Sequence, residues 1–210
     1  MFTIVEPMGG SVYTPGAAIL AGGGAAAATI LISDGFSGTD GTSINGRTPD
    51  TVGSATWAEV FAPAPVIDTN QIKAGAAAAS AAHISCGVAD FTVTVDYTYR
   101  GENFNGILVR SSDSSNYYRI YHDTGNWTFQ KRVAGSNSTL ATVAQTLTSG
   151  VTYTLKVVCS GTTLAFYVDN VLTSEQTGQT FNQTATRAGV LLSNSSGTVS
   201  RFDNFKITNP

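Results

Sequence analysis

Between positions 97 and 132 the chain carries Tyr97, Tyr99, Tyr117, Tyr118, Tyr121, Trp127, Arg110, Arg119 and Arg132. These are the side chains that hold a sugar, an accessible ring for stacking and nearby donors for its hydroxyls. The candidates for a carbohydrate site are Tyr99, Arg110, Tyr117, Arg119, Tyr121 and Trp127. The competing use is packing, because a domain of this size fills its core with about half of its rings. Phe91, Tyr97, Phe129 and Phe166 are expected there. Acyl-transfer chemistry would need His83 or His122, and neither lies near a Gly-x-Ser-x-Gly elbow. Both are expected to be surface or packing residues. The stretch "DGFSGTDGTSINGRTPD", Asp34 to Asp50, concentrates carboxylates among turn residues. It suits a calcium loop, the lip of a site, or an ordered lead-in to a β-rich domain.

What must position these residues is a series of strands. "FTVTVDYTY" sets Phe91, Val93, Val95, Tyr97 and Tyr99 on one face and Thr92, Thr94, Asp96 and Thr98 on the other, the period of two of a half-buried antiparallel strand. The same alternation runs through "GILVR", "NYYRIYHD", "NWTFQKRV", "VTYTLKVVC" and "TLAFYV". Turn clusters stand between them: "GENFNG", "SSDSSN", "DTGN", "AGSNS", "TSG" and "CSGTT". About ten strands without a helix predict an all-β, antiparallel two-sheet sandwich or jelly roll. The alanine run 74–83 favours helix by propensity alone. Its place between strands and its lack of caps argue for strand or irregular chain.

The chain has 210 residues, of which only 12% are charged, with 22 glycines and a formal net charge of -3. One domain with an appendage fits that length. No basic stripe exists to follow a phosphate backbone, so nucleic acid is not an expected partner. Residues 16–32 lack the leucine density of a membrane span, and Glu6 stands where a signal peptide would be basic, so neither membrane insertion nor a leader is read. Cys86 and Cys159 are expected to be free thiols, Cys159 on the core side of its strand with Leu155 and Val157. Residues 1–31 are rich in Gly and Ala and too small to build a core. They are expected to form an attachment arm against another subunit or protein, the alternative being an edge strand on their own domain. The domain proper is then 32–210.

The order of the pieces over roughly 33–208 resembles the concanavalin A-like lectin/glucanase superfamily, including laminin-G-like domains. The resemblance is carried by "DGF" at 34–36, by "GVADFTVTVDY" before "GILVRSSDSSNYYRIYHD", by "TYTLKVVCSGTTLAFYVDNVL" and by the closing "RFDNFKI". It implies a concanavalin A-like jelly roll with an extended N-terminal arm. Catalytic members carry Glu-x-Asp-x-x-Glu on one strand, so that two carboxylates stand about 5 Å apart. Here Glu6, Glu59, Glu102 and Glu175 are scattered, and no enzyme is expected. The resemblance also implies one Ca2+, with Asp34 and Asp203 as side-chain ligands and the Gly35 carbonyl beside them. The alternative is that Asp34 and Asp203 accept backbone N–H groups as an end clamp. The lead-in "LISDGFSGTDGTSINGRTPDTVGSATW" is similar to those of tailed-phage virion proteins. It implies a virion-surface structural protein, a homo-oligomer held to other virion proteins through residues 1–31. A module binding host cell-surface glycan is the alternative.

Overall fold

The computed structural model describes residues 27–51, 55–76, 79–101, 104–194 and 199–210. These hold fifteen strands and no helix. In chain order they are β1 (Ile30–Asp34), β2 (Ala58–Phe61), β3 (Val66–Ile67), β4 (Ile72–Lys73), β5 (Ser80–Ser85), β6 (Phe91–Thr98), β7 (Asn105–Asp113) and β8 (Asn116–Asp123). There follow β9 (Asn126–Val133), β10 (Ser136–Ala144), β11 (Thr152–Ser160), β12 (Thr163–Val168), β13 (Val171–Gln176), β14 (Arg187–Leu192) and β15 (Arg201–Thr208). They form two antiparallel sheets of a jelly-roll sandwich. The first runs β13-β12-β11-β6-β15-β4-β3, with β1 also paired to β15, and the second runs β10-β9-β8-β7-β14-β5-β2.

Alternation decides which side chains lie between the sheets. From the first come Phe91, Val93, Val95 and Tyr97 of β6, Leu155, Val157 and Cys159 of β11, and Phe202, Phe205 and Ile207 of β15. The second contributes Ile107 and Val109 of β7, Tyr118 and Ile120 of β8, Trp127 and Phe129 of β9, and Val190 and Leu192 of β14. Cys159 is buried, Cys86 is half-buried, and both are free thiols. The end of the alanine run enters β5, where Ala82 and Ile84 join the core.

Two-residue loops join β8 to β9, β9 to β10 and β12 to β13. Their central pairs Thr124-Gly125, Ala134-Gly135 and Asp169-Asn170 all have positive φ, which matches the right-handed twist of the paired strands. The chain ends meet by pairing: β1 lies along β15, and Thr29 and Asn209 exchange hydrogen bonds. The sandwich therefore takes in positions 30 and 31 of the segment expected to be arm. The rest of that expectation falls on residues 1–26, outside the described residues, and on 27–29.

Candidate functional site

The second sheet is buried on both faces at its centre. On its outer face Ala81, Leu108, Tyr117, Tyr121 and Leu191 form a small apolar cluster with Val60, against which Phe61 packs. Phe61 on edge strand β2 meets Tyr117 on β8 edge to face at 6.0 Å, although β5, β14 and β7 lie between. In a flat sheet four strand spacings would separate those backbones by about 19 Å. The sheet must curl, and its outer face is concave.

Two glycines allow the strands there to come close. An added Cβ at Gly106 would lie 1.8 Å from the Ile120 carbonyl oxygen, and one at Gly189 would lie 2.0 Å from that of Ala82. Registers then align the outer side chains in rows. Tyr117 faces Arg132, Arg119 faces Gln130 and Tyr121 faces Thr128 across β8 and β9. Asn137 and Thr139 of β10 continue the Arg132 and Gln130 rows.

Arg119 donates through Nε and Nη2 to Oε1 of Gln130, at 3.0 and 2.7 Å. Its guanidinium lies 5.0 Å from the centre of the Tyr121 ring. Phe104 stacks on Tyr121 at 5.0 Å with planes 14° apart and is itself 40% exposed. Arg132 donates to Asn137 Oδ1 at 3.2 Å, lies 5.9 Å from the Tyr117 ring centre, and has its Nε buried without a hydrogen-bond partner. Burial raises the phenol pKa of Tyr117 and Tyr121, opposed in both by the Arg119 charge. Further along the face the His83 ring nitrogen Nδ1 meets Ser111 Oγ at 2.8 Å. Burial, and then the charge of Arg187, push the His83 pKa down to about 4.

The six sugar-site candidates separate into two groups. Tyr117, Arg119 and Tyr121 share this outer face. Trp127 lies in the core, its indole N–H donating to Gln145 Oε1 at 2.8 Å. Tyr99 packs edge to face on Tyr97 and His122. Arg110 sits where a bulge shifts the β7 register, at φ 47°, and is fully buried. It donates to the Gly161 carbonyl at 2.5 Å and pairs with Asp90 at 3.4 Å, tying β7 to the β11–β12 turn of the other sheet. Gln130, Phe104 and Asn137 were not expected. Gln130 and Asn137 follow from alternation opposite Trp127 and Phe129 once the register is known. Phe104 carries no such signal.

The residues proposed for calcium do not fit that ion. Asp34 is buried at the inner end of β1, and its carboxylate accepts from Arg47 Nε and Nη2, from Trp57 Nε1 at 2.8 Å and from the Phe36 N–H. A cation there would have to displace a guanidinium. The Gly35 N–H donates to Asp50 Oδ2 at 2.8 Å. Asp203 accepts from the Asn204 N–H and faces Asp96 across β6. Burial raises its pKa, with the Asp96 and Asp34 charges adding to the rise. Among the described residues no cluster of three His, Cys, Asp or Glu side chains is placed to hold a metal.

A cavity of about 560 Å³ lies on the first sheet, lined by Asp50, Thr94, Asp96, Thr154, Asn204 and Lys206 among others. It has polar walls, and its one ring, that of Phe205, is fully buried. It therefore offers no stacking platform.

No family model matches the sequence, and no curated protein matches it. Solved structures match the fold. The carbohydrate-binding module CBM66 from Bacillus subtilis superposes with TM-score 0.62 at 20% identity, over 73% of this chain and 95% of that one. The carbohydrate recognition domain of Emp47p gives 0.55 at 14%, over 90% and 99%. The GH43 protein BlXynB from Bacillus licheniformis gives 0.57 at 15%, over 85% of this chain and 39% of that one. The chain thus has the jelly-roll sandwich found in carbohydrate-binding modules and lectin domains.

Proposed function

We propose that this chain is a non-catalytic carbohydrate-binding module that uses the outer face of the second sheet. The observation that carries the reading is the layered group on β8 and β9, in which Tyr121 packs against both the half-exposed Phe104 ring and an Arg119 guanidinium fixed by Gln130. It combines an accessible ring with fixed donors, the pairing a sugar needs. A hydrolase would need two opposed carboxylates at such a face. The β8, β9 and β10 rows present aromatic, amide, hydroxyl and guanidinium groups, with the single carboxylate of Asp123 at the end of β8 opposite Asn126. That the sandwich recurs in proteins described as a carbohydrate-binding module and a carbohydrate recognition domain supports the same reading.

In this reading the module is displayed on a bacteriophage particle, held by the Gly/Ala-rich segment that precedes β1. Support for the setting is confined to the sequence: the resemblance of the lead-in to virion proteins and the composition of that segment.

The test is a broad glycan array probed with the full chain. Binding is expected. Phe104→Ala and Gln130→Ala should each weaken it about tenfold, the effect of losing one stacking or hydrogen-bond partner, at unchanged melting temperature. Silence across the array would overturn the proposal.

A further inference from the structure

Resting on that reading, the structure assigns the outer strip of β8, β9 and β10 to an acidic saccharide, one that bears carboxylate or sulfate groups. Arg47, Arg110 and Arg201 each pair with a carboxylate, at Asp34 and Asp50, at Asp90 and at Asp68. Of the four without an ion pair among the described residues, Arg119, Arg132 and Arg187 lie on the outer face of the second sheet, and Arg100 lies in the loop after β6.

Their surroundings give no substitute. The cross-strand neighbours of Arg119 are Gln130 and Leu108, and those of Arg132 are Tyr117 and Asn137. Of the carboxylates that border the face, Asp123 stands at the end of the β8 row opposite Asn126, and two others are engaged elsewhere. Asp113 accepts from the Ser115 N–H and the Asn116 amide of its own hairpin. Glu59 accepts from the Ala64 N–H. In a chain of net charge -3, unpaired guanidinium groups thus collect on one concave face. Screening confines their attraction to about 8–10 Å, so an anion is drawn to this strip and not to the whole molecule.

The geometry favours an oxyanion group. Arg119 is held in place by Gln130 and the Tyr121 ring, so little freedom is lost on binding. Arg132 donates through Nη1 to a neutral amide, Asn137, and its Nε is buried without a partner, so its charge is left uncompensated. A carboxylate or a sulfate accepts from a guanidinium and also neutralises its charge. A neutral hydroxyl does only the first in part.

The test uses the full chain and calorimetric titration with three oligosaccharides of similar length: oligogalacturonate, a sulfated glucan and the unsulfated glucan. Oligogalacturonate or the sulfated glucan should bind at least tenfold more tightly than the neutral one, and the stronger arm identifies the anionic group. Raising the salt should weaken binding. Arg119→Gln and Arg132→Gln should each cost roughly tenfold in affinity, as loss of a charge-assisted contact does. Arg119→Lys, which keeps the charge and loses the fork, should fall between. Lys206→Gln, on the other sheet, should change nothing. Melting curves check that each variant is folded, and Arg119→Gln suffices should Arg132→Gln unfold. Equal or tighter binding of the neutral glucan, or acidic binding indifferent to both Gln variants, overturns the acidic assignment and leaves the module a carbohydrate binder. Failure to bind any saccharide here or on the array removes both.

Discussion

A carboxylate on the core side of a strand has to be neutralised in place, and Asp34 shows how this chain does it. Its alternation with Ile32 points it inward, where Arg47 and the Trp57 indole N–H meet it. Arg47 responds with a raised pKa, caused first by its hydrogen bonds to Asp34 and opposed by its own burial. Removing one member of such a pair leaves the other charge buried. Asp34→Ala is expected to destabilise by about 3 kcal/mol, read as a lower urea midpoint at unchanged slope. A loss under 1 kcal/mol would mean that the guanidinium finds water instead. Both sequence readings of Asp34, ligand or clamp, came with the resemblance carried by "DGF" and "RFDNFKI". Neither could name Arg47 or Trp57, because a partner 13 or 23 residues away is set by the fold of the loop. Trp127 illustrates the same limit from the other side. Its type suits sugar stacking, but the core or solvent side of β9 is fixed only once the sheet is assembled.

At the scale of elements, period-two alternation made β6, β8, β9, β11 and β12 legible, since each has one face against the core. The turns at Thr124-Gly125 and Ala134-Gly135 were legible as turn clusters too. The short strands β2, β3 and β4 were not, having too few residues to show a period. Nor was the β7 bulge that redirects Arg110, because nothing in "GILVRSS" marks an irregular register. The glycines at 106 and 189 belong to this scale, for each serves the spacing between two strands. At Gly189 an added methyl would run into the backbone of β5, and backbone cannot turn aside as a flexible side chain does. Gly189→Ala is therefore expected to force β14 from β5 and cost about 3 kcal/mol, the upper range for overpacking. Denaturant titration measures it. The variant should also loosen His83, which faces Gly189, whereas Gly125→Ala, with open space around its Cβ, should be limited to the strain of a positive φ.

For the molecule as a whole, one face rests on another through a core that contains few charges, and its titrating groups report on folding as a unit. His83 has its pKa pushed down to about 4, by burial first, by Arg187 next, and against the pull of Asp113. His122, bonded to the Gln145 carbonyl, is lowered as well, again chiefly by burial. Both are neutral in the folded chain at pH 7, while an unfolded chain takes up protons near 6.5. A depressed histidine pKa therefore means that stability is complete above about 6.5 and is lost as the pH falls from there toward 4, where His83 itself protonates. The carboxylates act lower. Asp68, held down by Lys73 and Arg201, and Asp113, held down by Asn116 and the Ser115 N–H, keep their stabilising charge until the pH falls below about 4. Asp203, raised by burial, works in the opposite sense and in the window just above about 4. Melting temperature followed from pH 8 to pH 3 should hence decline in two stages. His83→Gln should flatten the first, between 6.5 and 4, and leave the second in place. A wild-type curve flat down to pH 4.5 would show that His83 is solvated in the folded state and that the concave face is more open than its packing against Ser111 implies.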